Sequence, residues 1–345
     1  MIKSQFSFLI LATLCLVLCG TMMAQDAVYR LKSAGGTTRV TGRISEVSPT
    51  AVVVDGREVP AGEIRRLAFD KEPSEVNRAR ESMNSGQYSD ALEALAKIDK
   101  PIRNPLLQAE IDFIKAYSTA QISLRGGNIT PQAAGAEVGK FINKYSQNWN
   151  LYPAMEAYGK LIFAFGKPDL AAKEFDKMAS CDWVEYRVKG LYLRGSMQLE
   201  LGSLQEAKRS FQTLMNEESN ESIAQTYKLL AQCGLAKVQG MMGDIAGAQA
   251  VLEEMIGREN SDNKLVFANV YNSLGLVFEK AGKNKEASRA YLHTHLLYAS
   301  ESGPHAESLY HLALLWPKLE DTDRAATARE TLKSRYRNSY WAGKL

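Results

Sequence analysis

The spacing of hydrophobic positions changes near residue 73. Before that point, short β-branched runs at residues 38–44, 51–54 and 64–69 are separated by glycines and polar turns. Beyond it, hydrophobic residues recur every three or four positions, which is the period of an amphipathic helix. We therefore predict a small β module over residues 26–72 and a helical region over residues 74–345.

A hairpin is the clearest feature of the predicted β module. Asp55 and Gly56 separate two β-branched runs, and both residues tolerate the positive φ of a two-residue hairpin turn. With four or five short strands, the module resembles a small SH3-like or Sm-like barrel. Only Tyr29 and Phe69 offer rings on which bases could stack, so no nucleic-acid partner is expected. We expect the module to cap the helical region, with contact to a protein or the cell wall as the alternative.

A glycine followed five residues later by an alanine recurs through the helical region. The pairs are Gly86/Ala91, Gly166/Ala171, Gly202/Ala207, Gly243/Ala248 and Gly282/Ala287. Glycine permits the left-handed turn that ends a first helix, and alanine lets the second helix approach it closely. The long gap between the first two pairs predicts a degenerate repeat with helices over residues 106–124 and 131–145. A last repeat is predicted one period after Gly282, at Asp321 and Ala326.

Large side chains complete the repeat pattern. One follows each alanine by four positions, at Leu95, Phe175, Phe211, Leu252 and Tyr291. The fullest repeat carries Tyr271, Leu274, Gly275, Phe278, Gly282, Ala287 and Tyr291, and another carries Met155, Tyr158, Gly159, Ile162, Gly166, Ala171 and Phe175. On these residues the helical region resembles the tetratricopeptide repeat family. It departs from the family at Gln198 and Gln239, where an aromatic residue is usual, and at Pro317, which should end a helix early.

The resemblance implies a mainly α fold and a way of working. It implies about seven helix pairs stacked into a right-handed superhelix, preceded by the β-barrel-like module. The first helix of each pair then lines a concave surface that binds a protein or peptide partner. The candidate partner-binding residues are Glu156, Lys160, Phe163, Tyr192, Lys237, Asn269, Asn272, Leu276, Glu279 and Lys280, with Ser196 and Met241 beside them. For each of them the alternative is burial against a neighbouring repeat, or a solvated position without a partner.

The first residues predict export. Lys3 precedes an apolar run over residues 6–18, and Ala24 follows as a small residue where a signal peptidase needs one. This order is typical of a secretory signal peptide over residues 1–24, cleaved near Ala24, and the run is too short to span a membrane. A lipoprotein is the alternative because of Cys19, although Leu18 is larger than the residue that normally precedes a lipidated cysteine. We predict a periplasmic or secreted protein with no transmembrane span in the mature chain.

Charge and cysteine content narrow the possible partners. The formal net charge is +3, and removal of residues 1–24, whose only charged side chain is Lys3, leaves +2. This balance does not favour nucleic acid or an anionic membrane as the main partner. The mature chain keeps Cys181 and Cys233. We predict two separate thiols, because one precedes a predicted helix and the other lies within one.

The sequence does not predict an enzyme. His293 and His295 point about 200° apart on a predicted helix, and His305 and His311 have no acidic partner in a recognised pattern. No catalytic residue, cofactor site or metal site is therefore predicted. The predicted function is an exported protein-interaction scaffold. The alternatives are a cell-envelope component that self-associates or contacts the cell wall, and an envelope hydrolase or transferase, which would need an acid–base cluster within residues 293–311.

Overall fold

The structure is a computed structural model that describes residues 25–31, 36–258 and 262–345. The predicted signal peptide over residues 1–24 lies outside the described residues. Cleavage near Ala24 therefore stays a prediction.

The β module consists of two three-stranded antiparallel sheets. One has the order β2-β1-β6, in which β1 is Ala27–Leu31, β2 is Thr37–Thr41 and β6 is Ile64–Ala68. The other is a meander of Ile44–Val47 (β3), Ala51–Val54 (β4) and Arg57–Pro60 (β5). Asp55 and Gly56 join β4 to β5 with φ of 47° and 75°, so the predicted hairpin is confirmed. The resemblance to SH3-like or Sm-like barrels stays a prediction.

A glycine divides the run over residues 38–44, which the sequence predicted as one extended piece. Gly42 has a φ of 155°, and a Cβ at this position would lie 2.6 Å from Asp55 Cγ. The chain therefore ends β2 before this glycine and begins β3 after it, in the other sheet. Asp26 supports the crossing, because its carboxylate accepts hydrogen bonds from the backbone amides of Ile44 and Asp70 at 3.2 and 2.9 Å.

Fifteen α-helices follow within the described residues, as seven pairs and one short helix. They are Ser74–Asn84 (α1), Tyr88–Ala96 (α2), Pro105–Leu124 (α3), Pro131–Lys144 (α4), Leu151–Ala164 (α5), Pro168–Ala179 (α6), Val184–Glu200 (α7), Leu204–Met215 (α8), Ser222–Met241 (α9), Ile245–Arg258 (α10), Lys264–Lys280 (α11), Asn284–Leu297 (α12), Ser302–Leu315 (α13), Thr322–Arg335 (α14) and Tyr340–Gly343 (α15). The predicted degenerate repeat is confirmed as α3 and α4. The odd-numbered helices α1 to α13 each pack on the next odd-numbered helix and form a continuous layer, and we call them the inner helices.

Glycine ends the inner helix at the five predicted positions. Gly86, Gly166, Gly202, Gly243 and Gly282 have φ between 71° and 101°. The five alanines that follow them are completely buried, at Ala91, Ala171, Ala207, Ala248 and Ala287. The turn and the close helix contact thus arise from the two small residues that the repeat pattern indicated.

The last repeat is displaced by one residue from its predicted position. Glu320, and not Asp321, adopts the left-handed conformation with φ of 63°, and Ala325, and not Ala326, is buried. Asp321 instead caps α14, because its carboxylate accepts a hydrogen bond from the Arg324 amide. The helix before this turn ends at Leu315 and continues as a 3-10 turn over Trp316–Leu319, as the proline at position 317 predicted.

One hydrophobic core joins the β module to the first helices. It contains Val28 and Val52 from the two sheets together with Val76 of α1. An ion pair holds the connection between β6 and α1. The guanidinium of Arg80 on α1 donates to both oxygens of the Glu72 carboxylate in this connection, at 2.9 and 3.1 Å. Both side chains of this pair are buried, so the module is fixed on the helical region rather than tethered to it.

Candidate functional site

The inner helices enclose a cavity of about 900 Å³. Six of them, α3 to α13, form its wall, α3, α5 and α7 with their C-terminal halves and α9, α11 and α13 along most of their length. Each contributes a side chain from its last turn, at Leu124, Ala164, Glu200, Met241, Lys280 and Leu314. The C-terminal ends among them carry a partial negative charge, and the N-terminal end of α13, at Ser302 to Pro304, brings the opposite partial charge to the same wall.

Eight of the ten predicted contact residues line this cavity. They are Lys160, Phe163, Tyr192, Lys237, Asn269, Leu276, Glu279 and Lys280, and Ser196 and Met241 also line it. They lie on α5, α7, α9 and α11, which the repeat pattern identified as inner helices. Their position is thus established, while their contact with a partner stays a prediction.

Asn272 is buried, so the prediction that it faces a partner is wrong. No part of the residue is exposed, and its Nδ2 donates to the Pro304 carbonyl at 2.8 Å and to Glu307 Oε2 at 3.0 Å. Glu307 Oε1 also accepts from Lys237 Nζ at 2.7 Å. The amide therefore joins α11 to α13, because polar groups buried between adjacent helices need partners there.

Glu156 pairs with two lysines and does not line the cavity. Its carboxylate accepts hydrogen bonds from Lys160 on the same helix and from Lys189 on α7, the second at 3.2 Å. Burial opposes its ionisation, but the two ammonium groups outweigh burial and lower the pKa of Glu156 to about 2. Glu156 thus joins two inner helices, while the Lys160 side chain remains 43% exposed beside the cavity.

A hydrogen bond across the cavity wall connects the middle repeats. The Tyr192 hydroxyl on α7 donates to Asn269 Oδ1 on α11 at 3.0 Å. Asn269 Nδ2 in turn donates to the Leu265 carbonyl at 2.8 Å. Burial raises the pKa of Tyr192, so its hydroxyl stays protonated and acts as a neutral donor.

Histidines form two side-chain groups that the sequence did not predict. His295 Nδ1 lies 2.8 Å from His305 Nε2, and His305 Nδ1 lies 2.6 Å from the Tyr336 hydroxyl. His311 Nδ1 lies 2.7 Å from Glu279 Oε1, so the expectation that it has no acidic partner is wrong. Burial lowers the pKa of His305 to about 4. Among the described residues, no three histidine, cysteine, aspartate or glutamate side chains are grouped to hold a metal ion.

The two cysteines of the predicted mature chain are separate buried thiols, as expected. Cys181 lies in the hydrophobic cluster around Phe175, and Cys233 lies in the cluster around Leu252. Burial raises the pKa of Cys181 to about 11, which keeps it in the unreactive thiol form.

Residues 336–345 also line the cavity, and the sequence analysis missed them. We call this stretch the closing segment, and its lining residues are Tyr336, Asn338, Ser339, Tyr340, Trp341 and Lys344. The repeat pattern gives no signal for them, because they follow the second helix of the last pair. Three aromatic residues within six positions were the available hint that this stretch packs against something.

Comparison with known proteins identifies solved structures with a similar fold. No protein-family model matches the sequence, and no curated protein matches it. Among solved structures, a tetratricopeptide repeat protein from Parabacteroides merdae matches with a TM-score of 0.52 and 18% identity, over 76% of this chain and 92% of that one. The apo quorum sensor NprR from B. thuringiensis matches with a TM-score of 0.52 and 13% identity, over 75% and 74% of the two chains.

A third similar structure contains a bound peptide. It is the Rap conjugation gene regulator of the plasmid pLS20 in complex with the Phr* peptide, with a TM-score of 0.53, 12% identity and coverage of 76% and 84% of the two chains. At these identities the likeness establishes the fold alone. The helical region of this chain has the fold of tetratricopeptide repeat proteins, and the predicted fold class is confirmed. Across the described ranges, no helix combines the length and the apolar character needed to cross a membrane.

Proposed function

We propose that this chain is an exported scaffold that binds a protein or peptide through its concave surface, and that it is not an enzyme. The observation that carries the proposal is the cavity lined by six inner helices. Ammonium, carboxylate and aromatic side chains meet on its wall, and this mixture suits an extended or short helical peptide. The peptide bound to the similar Rap regulator supports this use of the fold, although a shared fold does not by itself set function.

Crosslinking and capture test the proposal. The tagged chain is expressed from its own leader, crosslinked in the exported fraction, and compared with a variant that carries Lys160→Ala, Leu276→Ala and Lys280→Ala. All three side chains line the cavity and none lies in the hydrophobic core. We expect the parent to capture one distinct protein and the variant to lose it, because the substitutions remove two charges and an apolar contact from the wall.

A matched control changes three exposed residues on the second helices of their pairs, which are the even-numbered helices. Lys173, Lys285 and Glu330 lie on α6, α12 and α14 and do not line the cavity. The control variant should capture the same protein as the parent. Equal capture by the cavity variant, capture of the chain by its own copies alone, or absence of the chain from the exported fraction would contradict the proposal.

A further inference from the structure

The closing segment connects the last repeat to the second repeat. Arg337 Nε donates to the Gly126 carbonyl at 2.7 Å. The Asn338 side-chain amide lies within hydrogen-bond distance of three carbonyls of the α3–α4 turn, those of Ser123, Gly127 and Ile129, at 2.9 to 3.0 Å. These partners are more than 200 positions apart in the sequence, so the contacts close the superhelix on itself.

Two aromatic side chains of the closing segment lie on the cavity wall. The Tyr340 ring stacks on the ring of Phe163 of α5, with centroids 4.2 Å apart. The Trp341 ring packs against Tyr310 of α13, with centroids 5.2 Å apart. Helix α15 thus occupies the part of the concave surface between α5 and α13.

The ammonium group of Lys344 lies between a carboxylate and three aromatic rings. Its Nζ lies 3.2 Å from Glu200 Oε2 at the end of α7. It also lies 5.4, 4.8 and 5.0 Å from the ring centroids of Tyr310, Tyr340 and Trp341. Rings within 6 Å attract a cation, and the C-terminal end of α7, which carries Glu200, adds to this attraction.

The closing segment lies over the last hydrophobic core, with Trp341, Ala342 and Leu345 packed partly buried against it. Tyr336, where it begins, is buried, but none of residues 337–345 is buried. A contact made by partly exposed side chains at the end of the array opens at a lower free energy than the core itself does. The segment can therefore exchange with another chain while the repeats stay folded.

We propose that the concave site recognises a peptide carrying an aromatic residue and, four positions later, a lysine, and that the closing segment is its intramolecular occupant. Tyr340 and Lys344 show the spacing, with Phe163 and Glu200 as their receptors. This inference rests on the proposed function, since it names the chemistry of the same surface. A partner segment with this pattern competes with the closing segment for the site.

The test uses a labelled peptide of residues 336–345 as the probe. It is titrated against the intact chain and against a chain that lacks residues 337–345. We expect much tighter binding to the shortened chain than to the intact chain, because in the intact chain the peptide must first displace the closing segment. Lys344→Ala in the peptide should weaken binding about tenfold, because it removes the partly exposed ion pair with Glu200 and the contact with the Tyr310 ring. Gly343→Ala, whose added Cβ meets no atom within 4 Å, is the matched control and should leave binding unchanged.

A full-length variant covers the case in which the shortened chain does not fold. Tyr340→Ala with Lys344→Ala releases the segment without removing it, and this variant should also bind the peptide. Glu200→Gln in the receptor chain should make Lys344→Ala in the peptide ineffective, because the two changes remove the same ion pair.

Three results would overturn the inference. They are peptide binding to the intact chain as tight as to the released chain, no binding to either folded released chain, and affinity that does not depend on Lys344. A dimer of the intact chain that the peptide dissociates would assign the site to the segment of a second copy instead. Peptide binding without capture of any partner would leave this inference standing and remove only the proposed function.

Discussion

Glu110 shows how a buried charge in this fold depends on pH. It lies on α3 at the core shared with the β module and is 4% exposed. Its Oε1 accepts hydrogen bonds from Trp149 Nε1 at 2.6 Å and Asn150 Nδ2 at 2.9 Å. Burial raises its pKa to about 7, and the nearby Arg80 and the two hydrogen bonds oppose this rise only in part.

The raised pKa fixes the sign of a stability change. The folded chain holds a proton on Glu110 that the unfolded chain releases above its ordinary pKa of 4.5. Stability should therefore fall as the pH rises from about 4.5 to about 7, and level off above that. Glu110→Gln keeps the Oε1 acceptor and removes the charge, so at pH 8 it should be more stable than the parent by on the order of 3 kcal/mol, and at pH 4.5 nearly equal to it.

Urea unfolding of parent and variant at pH 4.5, 6 and 8 measures this difference. Glu93→Gln, on the exposed face of α2, is the control and should unfold as the parent does at every pH. A Glu110→Gln variant whose stability follows the parent across this range would show that Glu110 titrates normally in the fold.

At the scale of elements, the sequence predicted most of what the structure shows. Five glycine turns and the degenerate repeat were predictable because each repeats one local pattern of small and large residues. The last turn was predicted one residue too late. Its left-handed residue is Glu320 and not a glycine, so the residue type gave no signal for its position. The break at Gly42 depends on the side chain of Asp55 in the β4–β5 turn, which the local pattern around Gly42 does not contain.

Replacing a glycine of an inner helix by alanine should lower the stability of the chain, although helix propensity alone would raise it. A Cβ at Gly275 of α11 would lie 2.6 Å from Tyr291 Cζ, and the Tyr291 ring is completely buried. Gly275→Ala should therefore destabilise the chain by about 1–3 kcal/mol through overpacking. Gly257→Ala on α10, where an added Cβ meets nothing within 4 Å, should instead stabilise it by up to about 1 kcal/mol.

Thermal unfolding of the two variants against the parent compares the two effects directly. A rise in Tm for both variants would show that the ring moves aside at little cost, and that close approach at Gly275 is not what fixes the pairing of α11 with α12. A fall for both would mean that the exposed end of α10 is more constrained than its open surroundings indicate.

At the scale of the whole molecule, the periodic pattern could not predict how the superhelix closes. A repeat pattern reports contacts between neighbouring repeats, and the predicted inner helices and most of the cavity wall follow from it. The contacts of Asn338 with the α3–α4 turn depend instead on the summed rotation of all the repeats between them. No residue near position 338 or near position 126 encodes that rotation. The part of the cavity wall that the closing segment forms was therefore found only in the structure.

Closure makes a prediction about the dimensions of the molecule in solution. The hydrogen bonds of Arg337 and Asn338 hold the last repeat to the α3–α4 turn, and without them the array is freer to extend. Contacts between repeats that lie two apart, such as the Tyr192–Asn269 hydrogen bond, remain. Loss of nine residues from a compact chain of this length should reduce the radius of gyration by about 1%. Removal of residues 337–345 should instead increase it, and small-angle scattering distinguishes the two signs. An unchanged or smaller radius would mean that packing between the repeats alone sets the curvature, and that the closing segment lies on a superhelix that is already closed.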